Sequence, residues 1–236
     1  MISIIIPAHN EHNNLKSLLP LLVDLSIKDD VEIIVALSAQ NSDDSKLILN
    51  QKKVRFLECT KKGRAVQMNC AAKISNGDIL VFLHADVIPP KSFLKDIRNA
   101  LSTGFEAGFF SYRFDKESFL LRINASFTRN KGFFTGGGDQ CLFIKKTTFE
   151  LLNGFDEKQF LMEDFEFFER MKENQIKYTI IKNDLIVSSR KYEYNSYLRV
   201  NLSNLLLVVL FKIGYSPKRL RLIHNKLIRT PYQMSN

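Results

Sequence analysis

Cysteine is scarce in this sequence of 236 residues, and its placement excludes two kinds of site. The three cysteines, Cys59, Cys70 and Cys141, are far apart and form no Cys-x-x-Cys pair. An odd number of widely separated cysteines fits neither a disulfide framework nor the ligand set of a zinc knuckle. We therefore expect all three to be reduced and structural.

The sequence also lacks a basic leader, internal repeats and Gly/Ser linkers. Its unbroken apolar run at residues 205–211 is far shorter than the roughly 20 residues that span a bilayer. With 45% hydrophobic and 25% charged residues, an ordinary core is expected, whereas disorder and a multi-span membrane protein are not. These features predict a cytoplasmic protein, with an α/β domain at residues 1–190 and a basic helical extension at residues 191–236.

Basic residues are concentrated near the end of the chain. Residues 182–236 hold ten Lys/Arg and two Asp/Glu, a balance of +8 within a formal net charge of +9. This part carries no nucleic-acid-binding motif, so we expect no nucleic-acid partner. Basic residues around an apolar helix at 196–213 favour peripheral contact of residues 196–236 with an anionic membrane. A core helix packed against the sheet is the alternative.

The first hundred residues alternate short apolar runs with longer segments of helical spacing. The runs lie at residues 2–7, 31–37, 54–57 and 79–83, and the helical segments at 11–25, 42–51, 63–74 and 90–101. This alternation predicts βαβ units, hence an α/β fold with a mainly parallel central sheet flanked by helices. Ligands of such sheets bind beyond the carboxyl ends of the strands, so residues after each run are candidates for a site.

The pattern is less regular after residue 104. An aromatic-rich stretch leads to three glycines at residues 136–138. A short strand is predicted at 141–144, a helix at about 162–171, and two closing helices at about 196–213 and 217–227.

Polar residues follow the first predicted strand. Pro7 cannot donate to a strand ladder, so we expect the strand to end there. Asn10 can cap the following helix, whose N-terminus attracts anions. A capped turn without a ligand is the alternative interpretation.

His84 and Asp86 follow the fourth predicted strand and are candidate metal ligands. Mg²⁺ needs only one or two protein carboxylates beside phosphate oxygens, so Asp86 alone would join Mg²⁺ or Mn²⁺ to a substrate diphosphate. His84 would ligate Mn²⁺ or hydrogen-bond a phosphate. An ordinary turn is the alternative.

Three further segments carry candidate site residues. Arg64 and Gln67 share a face at a predicted helix start and would reach a nucleotide. The glycines at 136–138 allow backbone to approach a ligand closely. Glu163 and Asp164 begin a predicted helix, whose dipole keeps a carboxylate ionised at neutral pH, as a general base requires. A solvated helix start, a flexible turn and acids placed only for the dipole are the respective alternatives.

Together these strings resemble glycosyltransferase family 2, whose fold is known as GT-A. The resemblance extends over essentially the whole chain and is most similar to the bacterial subgroup of the arsenosugar-biosynthesis type. The matching strings are SIIIPAHNE (3–11), GRAVQMNCAA (63–72), ILVFLHAD (79–86), GGGDQCLF (136–143), LLNGFDE (151–157), LMEDFEFFERM (161–171) and the tail at 188–217.

The resemblance implies an inverting enzyme that moves a sugar from a nucleoside-diphosphate sugar to a hydroxyl acceptor, lipid-linked or soluble. In that pattern Asp164 takes the hydroxyl proton, and Asp86 with His84 holds a divalent cation, Mg²⁺ or Mn²⁺. The donor side would comprise Pro7, Ala8, Asn10, Glu11, Arg64, Gln67 and Asp86. The sugar or acceptor side would comprise Gly137, Gly138, Asp139, Gln140 and Glu163.

The sequence departs from the family pattern after the second predicted strand. Residues 35–40 read VALSAQ and lack the usual aspartate, and the next acid is Asp43, so nucleobase recognition is altered or lost. The family's Asp-x-Asp is His84-Ala85-Asp86 here, and its Arg-Arg-Trp is Arg190-Lys191-Tyr192. The missing aspartate supports a non-catalytic binding or scaffold protein as the alternative. A nucleotidyltransferase is a third hypothesis, but residues 8–13 lack the glycine-rich basic loop of that class.

Overall fold

A computed structural model describes residues 1–39, 41–47, 53–132 and 134–229 of the chain. In these residues eight strands form one sheet, accompanied by eight α-helices. The strands are β1 (Ile2–Ala8), β2 (Val31–Leu37), β3 (Val54–Glu58), β4 (Ile79–Phe82), β5 (Val87–Ile88), β6 (Ala107–Phe114), β7 (Leu142–Lys145) and β8 (Tyr178–Val187). The helices are α1 (His12–Leu25), α2 (Arg64–Ile74), α3 (Phe93–Ser102), α4 (Phe119–Ser126), α5 (Lys146–Leu151), α6 (Glu163–Glu173), α7 (Tyr197–Lys212) and α8 (Pro217–Leu227).

The sheet is mainly parallel, with the strand order β3-β2-β1-β4-β7-β6-β8-β5. The first four strands of the chain pair in parallel, and so do β6 and β8. In contrast, β7 is antiparallel to both of its neighbours, and β5 is antiparallel to β8. The parallel half places the ends of β1, β2 and β4 at one edge of the sheet.

An apolar core lies on each face of the sheet. Ile4 and Ile6 of β1 are buried in one cluster with residues of α1 and α3, whereas Ile5 is buried in a second cluster with residues of α2 and α6. Since successive strand residues point to opposite faces, a strand covered on both sides is apolar without alternation. The prediction of an α/β fold with a mainly parallel sheet flanked by helices is confirmed.

The C-terminal helices pack against the start of α6. Met162 forms a small buried cluster with Leu207 and Val208 of α7 and Leu220 of α8. One face of α7 is therefore buried, but in this cluster it packs on the start of α6 and on α8, whereas the core-helix alternative placed it against the sheet. None of the helices in the described ranges combines the length and apolarity that crossing a bilayer demands.

The sequence prediction lacks three strands, β5, β6 and β8, and the short helices α4 and α5, and it differs over part of one further helix. The pattern predicts neither β6, which is apolar and buried between β7 and β8, nor β8. In β8, residues 182–184 interrupt the apolar residues where a bulge shifts its register against β6, and a bulge breaks period-two alternation. The predicted helix at 42–51 begins as a short 3₁₀ helix, Asp44–Leu47, while residues 48–51, like Gln40, lie outside the described residues.

Pro7 lies inside β1, which continues to Ala8, so the expectation that the strand ends at Pro7 is wrong. The carbonyl of Ile5, two residues earlier, faces β4 and accepts from the N–H of Leu83. Residues two apart in a strand present their backbone to the same neighbour. Because β4 pairs with β1 only as far as Ile5, no ladder on that side needs an N–H from Pro7.

Asn10 does not cap α1, contrary to expectation. Its side-chain Oδ1 instead accepts a hydrogen bond from the backbone N–H of Ser42 at 2.8 Å. Asp43 supplies the cap from across the cleft, because its Oδ2 accepts from the backbone N–H of His12 at 2.8 Å. The loop after β2 thus fixes the start of the helix after β1.

The cross-loop cap gives the first prediction. Asp43→Ala should lower the free energy of unfolding by about 1–2 kcal/mol, since the N–H of His12 loses its acceptor. The exposed neighbour Asp44→Ala is the control and should change it by less than about 0.5 kcal/mol. Denaturant unfolding of both variants measures the difference, and equal losses would contradict the cap.

Candidate active site

Several segments converge beyond the carboxyl ends of β1 and β4, where ligands of parallel sheets bind. They are the turns after these strands, the starts of α2 and α6, and two short 3₁₀ helices, Gly138–Gln140 and Arg190–Tyr192. Each contributes at least one charged side chain. The sequence prediction of a site at this edge of the sheet therefore names segments that the fold does bring together.

Arg190 joins the turn after β1 to the turn after β4. Its Nη2 lies 3.1 Å from Oε1 of Glu11 and 3.1 Å from Oδ2 of Asp86. One cationic group is thus shared by two carboxylates, both partly buried. The arrangement brings together Glu11 and Asp86, two of the residues predicted for the donor side.

Asp139 lies between His84 and Lys191. Its Oδ1 is 3.6 Å from Nδ1 of His84, and its Oδ2 is 3.6 Å from Nζ of Lys191. Burial alone would raise the pKa of Asp139, but Lys191, His84 and Arg64 outweigh it and hold the pKa well below its usual range. Asp139 is therefore a carboxylate at neutral pH, and it lies between the ammonium group of Lys191 and the ring of His84.

The glycine turn places backbone directly against Asp164 and His84. A Cβ at Gly138 would lie 2.4 Å from Oδ2 of Asp164 and 2.6 Å from Cε1 of His84, so a side chain there would displace one or both of these groups. These groups surround a narrow pocket lined by Phe82, His84, Phe109, Gly136, Gly137, Gly138, Leu142 and Asp164.

Gln140 holds the glycine turn through two side-chain hydrogen bonds. Its side chain is buried, and its Oε1 accepts a hydrogen bond from the backbone N–H of Gly136 at 2.9 Å. Its amide nitrogen donates to the backbone carbonyl of Thr128 at 3.3 Å. Gln140 therefore holds the turn in place, whereas the sequence predicted that it lines the sugar or acceptor side.

Glu163 and Asp164, the first residues of α6, face Arg64, the first residue of α2. Nη1 of Arg64 lies 3.2 Å from Oε1 of Glu163 and 4.0 Å from Oδ2 of Asp164. Glu163 is buried, and within the described residues its Oε2 has no hydrogen-bond partner. Since a buried charge without a counter-charge is costly, Arg64 is needed to hold this acid pair.

The sequence analysis expected the helix dipole at the start of α6 to keep Asp164 ionised at neutral pH. That expectation is wrong, because Asp164 is not fully ionised there. Burial, followed by the charge of Glu163, raises the pKa of Asp164 to about 7, against the opposite effects of His84 and Arg64. The helix dipole is the weaker influence because the carboxyl group has left most of the solvent. A carboxyl group with this pKa is suited to general-base catalysis near neutral pH.

Gln67 belongs to the fold and not to the cleft. Its Nε2 donates to the backbone carbonyls of Ala8, at 2.8 Å, and Ala36, at 2.7 Å. Both Gln67 and Ala8 are buried. The predicted nucleotide contact of Gln67 is thus replaced by a link between the ends of β1 and β2, while Arg64 at the start of the same helix faces the acids.

An open cleft of about 580 Å³ adjoins the pair formed by Glu11 and Arg190. This volume is within the range of small-molecule sites. The cleft is lined by Asn10, Glu11, His12, Asn13, Asn14, Ser42, Asp43, Asp44 and Arg190.

The fit of a divalent cation depends on the donor atoms near Asp86. Over the described ranges, no group of three or more His, Cys, Asp or Glu side chains is placed to hold a metal ion. Asp86 and Glu11 nevertheless share one cationic partner, and a single carboxylate with phosphate oxygens is a sufficient ligand set for Mg²⁺. His84 instead lies 3.6 Å from Asp139, which leaves Asp86, itself 3.1 Å from Arg190, as the predicted ligand through which the site would take a cation together with a substrate.

Arg190 and Lys191 also lie in the cleft region, although neither is among the predicted site residues. The signal for them in the sequence is their place in the string that corresponds to the family's Arg-Arg-Trp, within the tail. Their distance along the chain from Glu11 and Asp86 gave no indication that they meet. Asp43 likewise lines the cleft, through the loop that caps α1.

The fold is shared with solved structures of glycosyltransferases of the GT-A type. PcManGT, a mannosyltransferase from Pyrobaculum calidifontis in complex with GDP-Man and Mn²⁺, has a TM-score of 0.66 at 17% identity, over 96% of this chain and 68% of that one. Residues 1–349 of TarS from S. aureus have a TM-score of 0.62 at 16% identity, over 94% and 68%. Glucosyl-3-phosphoglycerate synthase from Mycobacterium tuberculosis, in complex with Mn²⁺, UDP and phosphoglyceric acid, has a TM-score of 0.62 at 16% identity, over 91% and 78%.

The family model described as Glycosyl transferase family 2 matches residues 3–180, and the chain belongs to this family. The resemblance seen in the sequence is thereby confirmed at the level of the family. A search of curated proteins gives no match. The matched residues end before α7, and the division of the chain at residue 190 stays a prediction.

The raised pKa of Asp164 predicts how stability depends on pH. The native state keeps the proton that the unfolded chain loses near pH 4, so the stability from this group is present below about pH 4 and is lost as pH rises through about 7. Asp164→Asn should remove this loss, and should raise the free energy of unfolding relative to wild type by at least about 1 kcal/mol more at pH 8 than at pH 4.

Denaturant unfolding at the two pH values measures the effect. Asp24→Asn makes the same chemical change at an exposed position of α1 and should show no such pH dependence. If Asp164→Asn changes stability equally at both pH values, Asp164 does not have a raised pKa.

Proposed function

We propose that this protein moves a sugar from a nucleoside-diphosphate sugar to an acceptor hydroxyl, with inversion at the anomeric carbon. The observation that carries the proposal is Asp164, a carboxyl group with a pKa of about 7 that lies against the glycine turn. Membership of glycosyl transferase family 2 and the GT-A fold support glycosyl transfer.

Asp164 acts as the general base. Its Oδ2 accepts the proton of the acceptor hydroxyl while the hydroxyl oxygen forms a bond to the anomeric carbon. The bond from that carbon to the diphosphate breaks on the opposite face, and the nucleoside diphosphate leaves with the electron pair. A well-placed base is worth about 10²–10⁴ in rate. Its pKa near 7 also lets Asp164 release the proton to water before the next turnover.

The donor would lie between the cleft and the narrow pocket. Arg190 and Lys191, beside Asp86 and Asp139, are placed to meet the charge of a diphosphate. A divalent cation, Mg²⁺ or Mn²⁺, held by Asp86 and the diphosphate would neutralise the charge of the leaving group. PcManGT was solved with GDP-Man and Mn²⁺ and the synthase with UDP and Mn²⁺, which supports this class of donor and cofactor.

Nucleobase recognition would differ from the family pattern. The aspartate expected after β2 is missing, and Asp43 has other partners: it accepts from the N–H of His12, from the side chain of Asn41 and from Ser45. These bonds leave its carboxylate little capacity for a uracil ring. We therefore expect the nucleotide to be selected mainly through its diphosphate.

The acceptor is a hydroxyl compound, lipid-linked or soluble. We place the protein in the cytoplasm, at the inner face of the cytoplasmic membrane, and residues 196–236 in peripheral contact with that surface. The absence of acidic residues between positions 196 and 229 supports this contact. The combination of motifs supports the arsenosugar-biosynthesis-type subgroup, which stays a prediction.

The base assignment predicts a separation of binding from turnover. Asp164→Asn should leave the dissociation constant of the nucleoside diphosphate within about threefold, while it lowers donor turnover by at least about 10², because the amide accepts no proton. Release of nucleoside diphosphate from a panel of sugar donors measures turnover. Glu173→Gln, at the exposed end of the same helix, is the control and should leave turnover unchanged. Normal turnover by Asp164→Asn would assign the base to another group.

The donor site predicts metal-dependent binding of nucleoside diphosphates. Calorimetry with a panel of these compounds, with Mn²⁺ or with EDTA, should give binding that Mn²⁺ strengthens at least about tenfold. Asp86→Ala should abolish the effect of Mn²⁺, whereas Asp44→Ala, in the same cleft, should retain it. Equal affinity of wild type and Asp86→Ala, with no response to EDTA, would refute the metal role. Absence of any nucleotide binding would refute the proposed function.

A further inference from the structure

Helix α4 carries an exposed apolar stripe on the main domain. Phe119, Leu120 and Ile123 face solvent, and Phe127, just beyond the helix end, continues the stripe by another turn. The opposite side of the helix is buried against the core through Leu121 and Ala125. This short helix thus has one apolar side in the core and a second apolar side exposed to solvent.

Helix α7 carries a longer stripe of the same kind. Its inner face, with Val200, Leu207 and Val208, is buried. The outer stripe has the three- and four-residue spacing of one helix face and consists of Leu198, Leu202, Leu205, Leu206 and Val209, with Ile213 just beyond the helix. The side chains of the two stripes are between 40% and 68% exposed, which is unusual for large apolar residues in such a concentration.

A hydrogen bond between two asparagines joins the helices beside both stripes. Nδ2 of Asn124 in α4 donates to Oδ1 of Asn201 in α7. Asn124 lies one helical turn from Leu120, and Asn201 one turn from Leu205, so each asparagine borders the stripe of its own helix. The two stripes therefore flank a common contact, and we call them together the α4–α7 face.

Helices α4 and α7 carry basic side chains and no acidic ones. Arg122 lies on α4, and Arg199 and Lys212 lie near the two ends of α7, where Nζ of Lys212 is 3.7 Å from Oε1 of Glu169. Residues 119–129 and 196–229 contain no acidic residue, and the second of these segments adds Lys218, Arg219, Arg221, Lys226 and Arg229. An apolar strip bordered by long basic side chains is the pattern of helices that lie in the interface of an anionic bilayer.

We infer that the α4–α7 face docks on an anionic lipid bilayer, with both helices parallel to its surface. Apolar stripes and a positive border together favour a lipid surface over a second copy of this chain, since like charges would oppose each other across a dimer interface. The sequence predicted membrane contact only for the C-terminal tail. The docking of α4 adds to that prediction, because it brings the main domain itself to the bilayer.

The docked face lies close to the catalytic edge. Asn124 also donates to the hydroxyl of Tyr192 at 3.1 Å, and Tyr192 belongs to the same short helix as Arg190 and Lys191, which bind Asp86 and Asp139. On the inner side, α7 packs on Met162, the residue before Glu163. A bilayer at this face would therefore lie beside the site, where a lipid-borne acceptor would enter; this part of the inference rests on the proposed function.

Vesicle cosedimentation of the full chain tests the docking. Wild type should bind vesicles of phosphatidylcholine with phosphatidylglycerol, bind phosphatidylcholine alone far more weakly, and release with salt. The pairs Phe119→Ser/Ile123→Ser and Leu198→Ser/Leu202→Ser should each weaken partitioning at least about fivefold, since each removes two exposed apolar anchors. The control pair Ile27→Ser/Leu151→Ser removes side chains of comparable exposure elsewhere and should stay within about twofold of wild type.

Equal vesicle binding by wild type and the Phe119→Ser/Ile123→Ser variant would show that α4 does not contact the bilayer. Failure of wild type to bind anionic vesicles would overturn the inference. A dimer in light scattering that the same pairs convert to monomer would assign the face to a second copy instead. Nucleoside-diphosphate affinity of each variant should remain at the wild-type value. Vesicle binding without any nucleotide binding would refute the glycosyl transfer and leave the docking face intact.

Discussion

Repulsion among carboxylates is the constraint on which the site depends. Within a small region beyond the sheet, the fold collects Glu11, Asp86, Asp139, Glu163 and Asp164, and balances them with Arg64, Arg190 and Lys191. Acids at this spacing raise one another's pKa unless a cation is interposed. Where the cation is close, as at Asp139, the acid stays ionised, and where burial dominates, as at Asp164, the pKa rises to about 7. Two carboxyl groups beside the same glycine turn, Asp139 and Asp164, thus have different pKa values.

The C-terminal segment is part of this balance and not an appendage. Arg190 and Lys191 come from the chain just before α7, and α7 in turn packs on the residue that precedes Glu163. Its inner face is therefore core, while its outer face is left apolar and exposed. The inner face of α7 is buried, and membrane contact of its outer face stays a prediction. Through Met162 the buried face of this helix adjoins the start of α6, where Glu163 and Asp164 lie.

Local sequence was a good guide wherever a residue acts through its place on the sheet. Asp86 follows β4 and Glu11 follows β1, and parallel strands end at one edge, so their meeting could be predicted. The role of the glycine turn could also be predicted, because a side chain at Gly138 would displace Asp164 or His84. The same reasoning was wrong for polar residues with a free choice of partner. Gln67 and Gln140 form hydrogen bonds with backbone carbonyl and amide groups inside the fold. The sequence does not indicate whether a glutamine side chain binds the backbone or a ligand.

The sequence by itself determined the α/β class, the parallel half of the sheet and the segments that supply the site, because hydrophobic periodicity and strand ends are local properties. It also determined the family, since several short strings in a fixed order are independent of geometry. Only the tertiary structure decided which acid has a raised pKa, which cation each acid meets and which helix faces remain uncovered. Burial, the pairing of Arg190 with Glu11 and Asp86, and the contact between α4 and α7 each join residues far apart in the chain. Their energies depend on distances in space, which the order of residues does not contain.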